Sequence, residues 1–258
     1  MTDVSAVQPK PPLGVGRLLG DSFSILFSKF VQVIAVAFLP SLIGLLISGA
    51  LTGFNVVLGL SEPEFNSAGS GIAFVLSMLV DIVVYTLTTA LLIQLAYDAK
   101  LNRPVQIGRY FGPALAAIVP LAILSIVVGI LAGIGIVLLI VPGLWVYAVF
   151  SVIAPAIVIE RVGFGGLGRS AALTKEYRWP IVGAIILAFI CAILINTVAL
   201  LLVGLVSSFG GIILAAVIFV AFSTIAAGLI SILVALIYAR LREIKEGVNV
   251  DQIAAVFE

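Results

Sequence analysis

The chain has 258 residues, 63% of them apolar and 10% charged, with a mean hydropathy of +1.35. Soluble domains do not have this composition, and 13 Lys and Arg with 12 Asp and Glu are too few to solvate a second, water-exposed domain. A net charge of +1 says nothing about nucleic acid, but no basic, aromatic-rich segment points to RNA or single strands, and no nucleic-acid partner is expected.

The first thirteen residues, MTDVSAVQPKPPL, are polar and proline-rich. They lack the apolar core of a signal peptide and read as a disordered tail, expected to stay on the side of synthesis. Residues 14 to 245 then form a single six-span membrane domain, and 246 to 258 a short tail on the same side. Within GVGRLLGDSFSILFSKF, Arg17, Asp21, Ser24 and Ser28 recur at helical spacing between apolar positions. That pattern predicts an amphipathic helix lying on the membrane surface.

Apolar runs near 31 to 53, 72 to 97, 114 to 140, 143 to 159, 180 to 206 and 212 to 239 are each long enough to cross the hydrocarbon core as helix. In lipid only helices or closed barrels satisfy every backbone N–H and C=O, and these runs exceed strand length. The fold class is therefore all-α, a polytopic six-transmembrane-helix bundle with amphipathic helices on its cytoplasmic side. Val141, Pro142 and Gly143 predict a tight reversal between the third and fourth spans, and Ser207 to Gly211 another between the fifth and sixth. Pro40, Pro120 and Pro155 predict kinks. Two GxxxG pairs, Gly49 with Gly53 and Gly129 with Gly133, predict close helix approach, as do small residues such as Ala188, Ala192 and Gly228.

Every Lys and Arg falls before the first span or after the second, fourth and sixth. The loops on the other side carry only Glu62 and Glu64. By the positive-inside rule both termini are expected in the cytoplasm. Trp145 is then expected at the outer boundary and Trp179 at the inner one. A second amphipathic segment precedes the fifth span at 165 to 179, and a shorter one, VQIGRYFG, precedes the third. Each of the three contains Gly-Arg, which raises a threefold repeat of cytoplasmic helix plus hairpin. Membrane lipids are the expected partners, with inner-leaflet contacts at Arg17, Lys29, Arg109, Arg169, Lys175 and Arg178.

Between 141 and 183 the sequence combines Pro142-Gly143 before an aromatic-apolar span, Pro155 with Glu160 at that span's end, and an Arg169-Ser170 to Leu173-Thr174 helix ahead of Trp179. These features resemble the six-helix membrane domain of the glycerophosphoryl diester phosphodiesterase membrane-domain family. The resemblance implies a bundle in the bacterial inner membrane. It implies no hydrolysis, because that chemistry belongs to a soluble barrel with histidines and metal-binding carboxylates, and this chain has neither. Glu160 is expected to pair with Arg161 or Arg169, or to take part in a ligand site.

Histidine is absent, so zinc sites of the HExxH type, Ser-His-Asp triads and imidazole shuttles are impossible. Cys191 is the only cysteine. No phosphate-binding glycine loop is present, and no catalytic residue, metal or cofactor is expected.

Asp81 stands near the middle of the second span, in a stripe with Ser77, Tyr85 and Thr89. An ionised Asp facing lipid there costs about 2.5 to 3.5 kcal/mol, so it should face protein or water. With Tyr85 and Asn196 as candidate partners, it is either helix-to-helix glue or a proton-linked or cation site. The leading expectation is a non-enzymatic membrane-organising or scaffold protein. The alternative is a small secondary transporter or channel using Asp81, Tyr85 and Asn196.

Overall fold

The computed structural model describes residues 11–209 and 211–247. Among the described residues all regular structure is helical. The helices are α1 (Val15–Ser28), α2 (Phe30–Thr52), α3 (Phe54–Val57), α4 (Ala68–Lys100), α5 (Ile107–Leu138), α6 (Ile140–Phe150), α7 (Ile153–Glu160), α8 (Gly166–Thr174), α9 (Arg178–Ser208) and α10 (Ile212–Glu246). Six units are long and apolar enough to span a membrane: α2, α4, α5, α6 with α7, α9 and α10. The expected six-span bundle is thus the fold, and the chain is a transmembrane protein.

The element ends follow from local chemistry. Gly53 takes a left-handed φ of 94° where α2 stops, a conformation without penalty for a residue lacking Cβ. Ser67 starts α4 with a capping box, accepting from the Ser70 N–H while the Ser70 hydroxyl takes the Ser67 N–H. α9 runs to Ser208 and α10 starts at Ile212, so the reversal expected at Ser207 to Gly211 is shorter, with Ser207 and Ser208 still helical.

α10 is the central post, packed against α1, α2, α4, α7, α8 and α9. Most of the buried side chains form one core towards the end where the cationic residues gather, with Leu26, Leu91, Leu95, Ile181, Leu229 and Tyr238 at its centre. A smaller core, including Leu45, Leu58, Val203 and Val220, closes the opposite end. The outward faces carry large apolar side chains; Val137 is 86% and Phe209 84% exposed. In water this would be costly, whereas in hydrocarbon it is the expected surface.

Several expectations change in detail. The reversal between the third and fourth spans is at Leu139, whose extended backbone separates α5 from α6. Pro142 sits in the first turn of α6, where its missing N–H leaves no bond unmade. Gly143 belongs to the helix and allows the hairpin to close: a Cβ on Gly135 would lie 2.8 Å from the Gly143 Cα. Neither GxxxG pair is a helix seam. Gly49 makes room for the Phe54 ring, Gly53 is a cap, and nothing lies within 4 Å of a Cβ built on Gly129 or Gly133. The real seam between α2 and α4 is Gly44, where an added Cβ would lie 2.8 Å from Val84.

The amphipathic segments are also placed differently. α1 buries Leu18, Ser22 and Leu26 on one face. That face runs along α10, with Leu26 and Val33 of the next helix meeting Gly228. α8 is a separate helix packed on α6 and α7. VQIGRYFG forms no helix of its own; its last residues are the first turns of α5. The threefold repeat therefore fails at its middle member. Of the predicted N-terminal tail, residues 1–10 lie outside the described residues, while Pro11 and Pro12 accept hydrogen bonds from Tyr177 and Arg240 and Leu13 is buried. Residues 248–258 of the predicted C-terminal tail lie outside them as well, and Glu246 is still helical.

Gly143→Val forces a branched side chain against Ile136. It should cost about 1 to 3 kcal/mol and lower the melting temperature of the purified protein in detergent. Gly133→Ala, with open space at its Cβ, should leave that temperature unchanged or raise it.

Candidate functional site

The fourth span is interrupted at Ser151 and Val152, between α6 and α7. Pro155 contributes by withholding the N–H that would bond the Ser151 carbonyl four residues back. A broken backbone at membrane depth must find partners in protein. α8 supplies them: the Ser170 and Thr174 hydroxyls both donate to the Val149 carbonyl, at 2.9 and 3.0 Å, and the Val152 N–H donates to Ser170 Oγ at 3.3 Å. Both hydroxyl residues are fully buried. Pro155 and Ser170, expected as motif residues, are thereby parts of one device, and Gly166 lets α8 approach Ile157.

A cavity of about 200 Å³ opens beside the break, between α4, α5, α6 and α10. Its polar wall is Tyr85, Thr89, Ser125, Tyr147, Ser151 and Ser231, and among the described residues no charged side chain lines it.

Asp81 is not part of that wall. Its Oδ1 accepts from the buried Ser48 hydroxyl of α2 at 2.8 Å. Asn196 donates to the Ala192 carbonyl of its own helix, and no hydrogen bond joins it to Asp81 among the described residues. The expected cluster of Asp81, Tyr85 and Asn196 therefore does not form. Tyr85 lines the cavity and Asn196 turns back on α9, while Asp81, expected to face protein or water, is exposed on the outer surface of the bundle and is held there by the Ser48 hydroxyl of α2. Ser48 was readable as a polar residue four positions after Gly44, on the face that meets α4.

At the cationic end, Glu160 closes α7 and forms a two-pronged pair with Arg169 of α8, both contacts at 2.7 Å. Such fork-to-fork geometry is the strong form of an ion pair. The buried Tyr238 hydroxyl donates to Glu160 Oε1 at 2.5 Å. Arg169 also reaches Glu246 at 2.5 Å, and Arg242 joins Glu246 at 2.8 Å. Glu160 takes the expected Arg169 as partner, and two carboxylates balance two guanidiniums. The Glu160 hydrogen bond, followed by those of Glu246, holds the Arg169 pKa above its usual value despite desolvation.

This network removes Arg169 from the set expected to touch lipid. Arg178 also departs from it in part, because its guanidinium stacks over the Trp145 ring at 4.4 Å. Trp145 is thereby beside the start of α9, at the same end as Trp179 and not at the opposite boundary. The other four are on the surface: Arg17, Arg109 and Lys175 are exposed and Lys29 is half-buried. Arg17 also lines a cleft of about 610 Å³ with Asp21, Lys100, Arg240 and Glu243. Within it Lys100 pairs with Asp21 at 3.4 Å and Arg240 with Glu243 at 2.8 Å.

Fold and site together define a polytopic α-helical membrane protein with an interrupted span sealed by hydroxyls. Compared with protein-family models, curated proteins and solved structures, the chain matches none.

Glu160→Gln weakens the paired contacts of Arg169 and Tyr238 at sites that are only partly buried. A loss of about 1 to 2 kcal/mol in detergent unfolding is expected, below the cost of breaking a fully buried pair. Asp81→Asn keeps an acceptor for Ser48 and should cost under about 0.5 kcal/mol, whereas Asp81→Leu should cost about 1. Equal losses for both Asp81 variants would contradict the glue role.

Proposed function

We propose that this is a non-enzymatic integral membrane protein that organises or scaffolds the membrane through anionic lipid at its cationic end. One observation carries the reading. Among the described residues, five carboxylates of that end are occupied within the protein: Asp21 by Lys100, Asp98 by Tyr110, Glu243 by Arg240, and Glu160 and Glu246 by Arg169 and Arg242. Arg17, Lys29, Arg161 and Lys175 meet no carboxylate among the described residues, and Arg109 bonds only the Gln106 side chain. Charge left unpaired beside apolar spans is suited to lipid phosphates, at about 1 kcal/mol per cation near the surface.

Under the positive-inside rule this end faces the cytoplasm, with both termini there, and the bilayer is the bacterial inner membrane. The family resemblance belongs to the same proposal. It is supported by the structural work of its motif residues: Pro142 and Gly143 in the hairpin, Pro155 at the break, Glu160 and Arg169 in the ion pair, Ser170 as a cap. A second reading, solute passage as a small transporter or channel, is favoured by the polar cavity beside the interrupted span, which keeps Tyr85 but has neither Asp81 nor Asn196 in its wall.

The test is the lipid retained by the full chain in nanodiscs of mixed phosphatidylglycerol and phosphatidylcholine, read by native mass spectrometry. Enrichment of phosphatidylglycerol is expected, falling by up to about fivefold for each cation changed to Gln among Arg17, Lys29, Arg161 and Lys175. Retention in proportion to the bulk mixture would overturn the reading.

A further inference from the structure

Hydroxyls in membrane helices commonly turn back to a carbonyl one turn earlier, as Thr52, Thr86 and Thr197 do here. Ser125 on α5 and Ser231 on α10 make no side-chain hydrogen bond among the described residues, and both line the cavity at the broken span. Ser231 is only 6% exposed, so the bulk lipid does not reach its hydroxyl except through the cavity. Opposite them stand Tyr85, which interacts with Thr89 on the next turn of α4, and Tyr147 of α6. The rest of the wall is aliphatic and aromatic, including Ile93, Leu121 and Ile230.

We propose that this cavity is a binding site for a small uncharged molecule bearing hydroxyl or amide groups on a short apolar frame. Each free serine offers one donor and two acceptor sites, which matches a ligand that both gives and takes hydrogen bonds. Each hydroxyl left without a partner would cost about 5- to 150-fold in an equilibrium constant, and a cavity of about 200 Å³ has room for a few waters, at about 30 Å³ each, or for one small ligand that pairs the same groups. A charged ligand is disfavoured because no side chain of opposite sign faces the cavity, and stripping an ion of water without a partner is prohibitive. This site is separate from the lipid-facing cations and does not depend on them.

The experiment uses two small alkylating probes of the same shape, neutral iodoacetamide and anionic iodoacetate, on the full chain with Cys191→Ala in proteoliposomes. Single cysteines are introduced as Ser125→Cys and Ser231→Cys, with Ala226→Cys, buried on the same α10 but off the cavity, as reference. Rates are divided by those of a free thiol, and monodisperse elution qualifies each variant as folded. Iodoacetamide should modify both cavity cysteines about tenfold faster than the reference, and about tenfold faster than iodoacetate does, with acetamide slowing the reaction. Cavity cysteines that react no faster than Ala226→Cys would mean a sealed void and would overturn the proposal. Equal rates with iodoacetate, or reaction only with lipid-soluble probes, would overturn it too.

Discussion

A backbone carbonyl in hydrocarbon has no water to turn to, and the fourth span tests that constraint where it breaks. Val149 and Val152 lose their helical partners at the break, and two buried hydroxyls on α8 replace them. Without that replacement each open group would cost several kcal/mol, comparable to the whole margin of a folded domain. The position of α8 is thus set by the break, and Gly166 permits the close approach that lets the hydroxyls reach. The cavity beside Ser151 follows from the same interruption, since two short helices at an angle cannot fill the space that one straight helix would.

The cationic end divides into two populations by what the neighbouring helices present. Arg169 and Arg242 are surrounded by Glu160, Glu246 and Tyr238 and bind the ends of α7, α8 and α10 together. Because these side chains are partly shielded, their attraction is less damped by salt than that of surface pairs. Lys100 and Arg240 have carboxylate partners of their own, whereas Arg17, Lys29, Arg161 and Lys175 meet no carboxylate among the described residues. Local geometry, and not the identity of the residue, decides whether an arginine here is paired with a carboxylate of the fold.

Span number and the concentration of cations at one end were legible in the sequence, because each rests on a property summed over some twenty residues; the limits were less so, since α5 starts seven residues before the expected span and α10 runs seven residues past it. Pairings were legible only where one helix turn set them, as with the short reversal at Ser207 to Gly211. Asn196 and Asp81 lie at similar depth, but depth says nothing of rotation about the helix axis, and Asn196 found its acceptor on its own helix. GxxxG failed for the same reason: a small residue permits close approach without requiring a neighbour to arrive. Trp145 misled because aromatic rings also stack on guanidinium groups, and Arg178 outcompeted the interface for it. Ser170 and Thr174 were visible as letters of a motif, yet their task as caps for a distant break needed the tertiary structure to be seen.

The order in which the polypeptide leaves the ribosome is at odds with the order in which its helices are assembled. α1 ends at residue 28, but α10, against which it lies, starts only at residue 212. At about 5 to 20 residues per second, translation leaves Leu18 and Leu26 without their native cover for roughly ten to forty seconds. During biogenesis that stretch needs a temporary shelter, in the insertion machinery or the nascent bilayer, and the last helix to be made is the one that releases it.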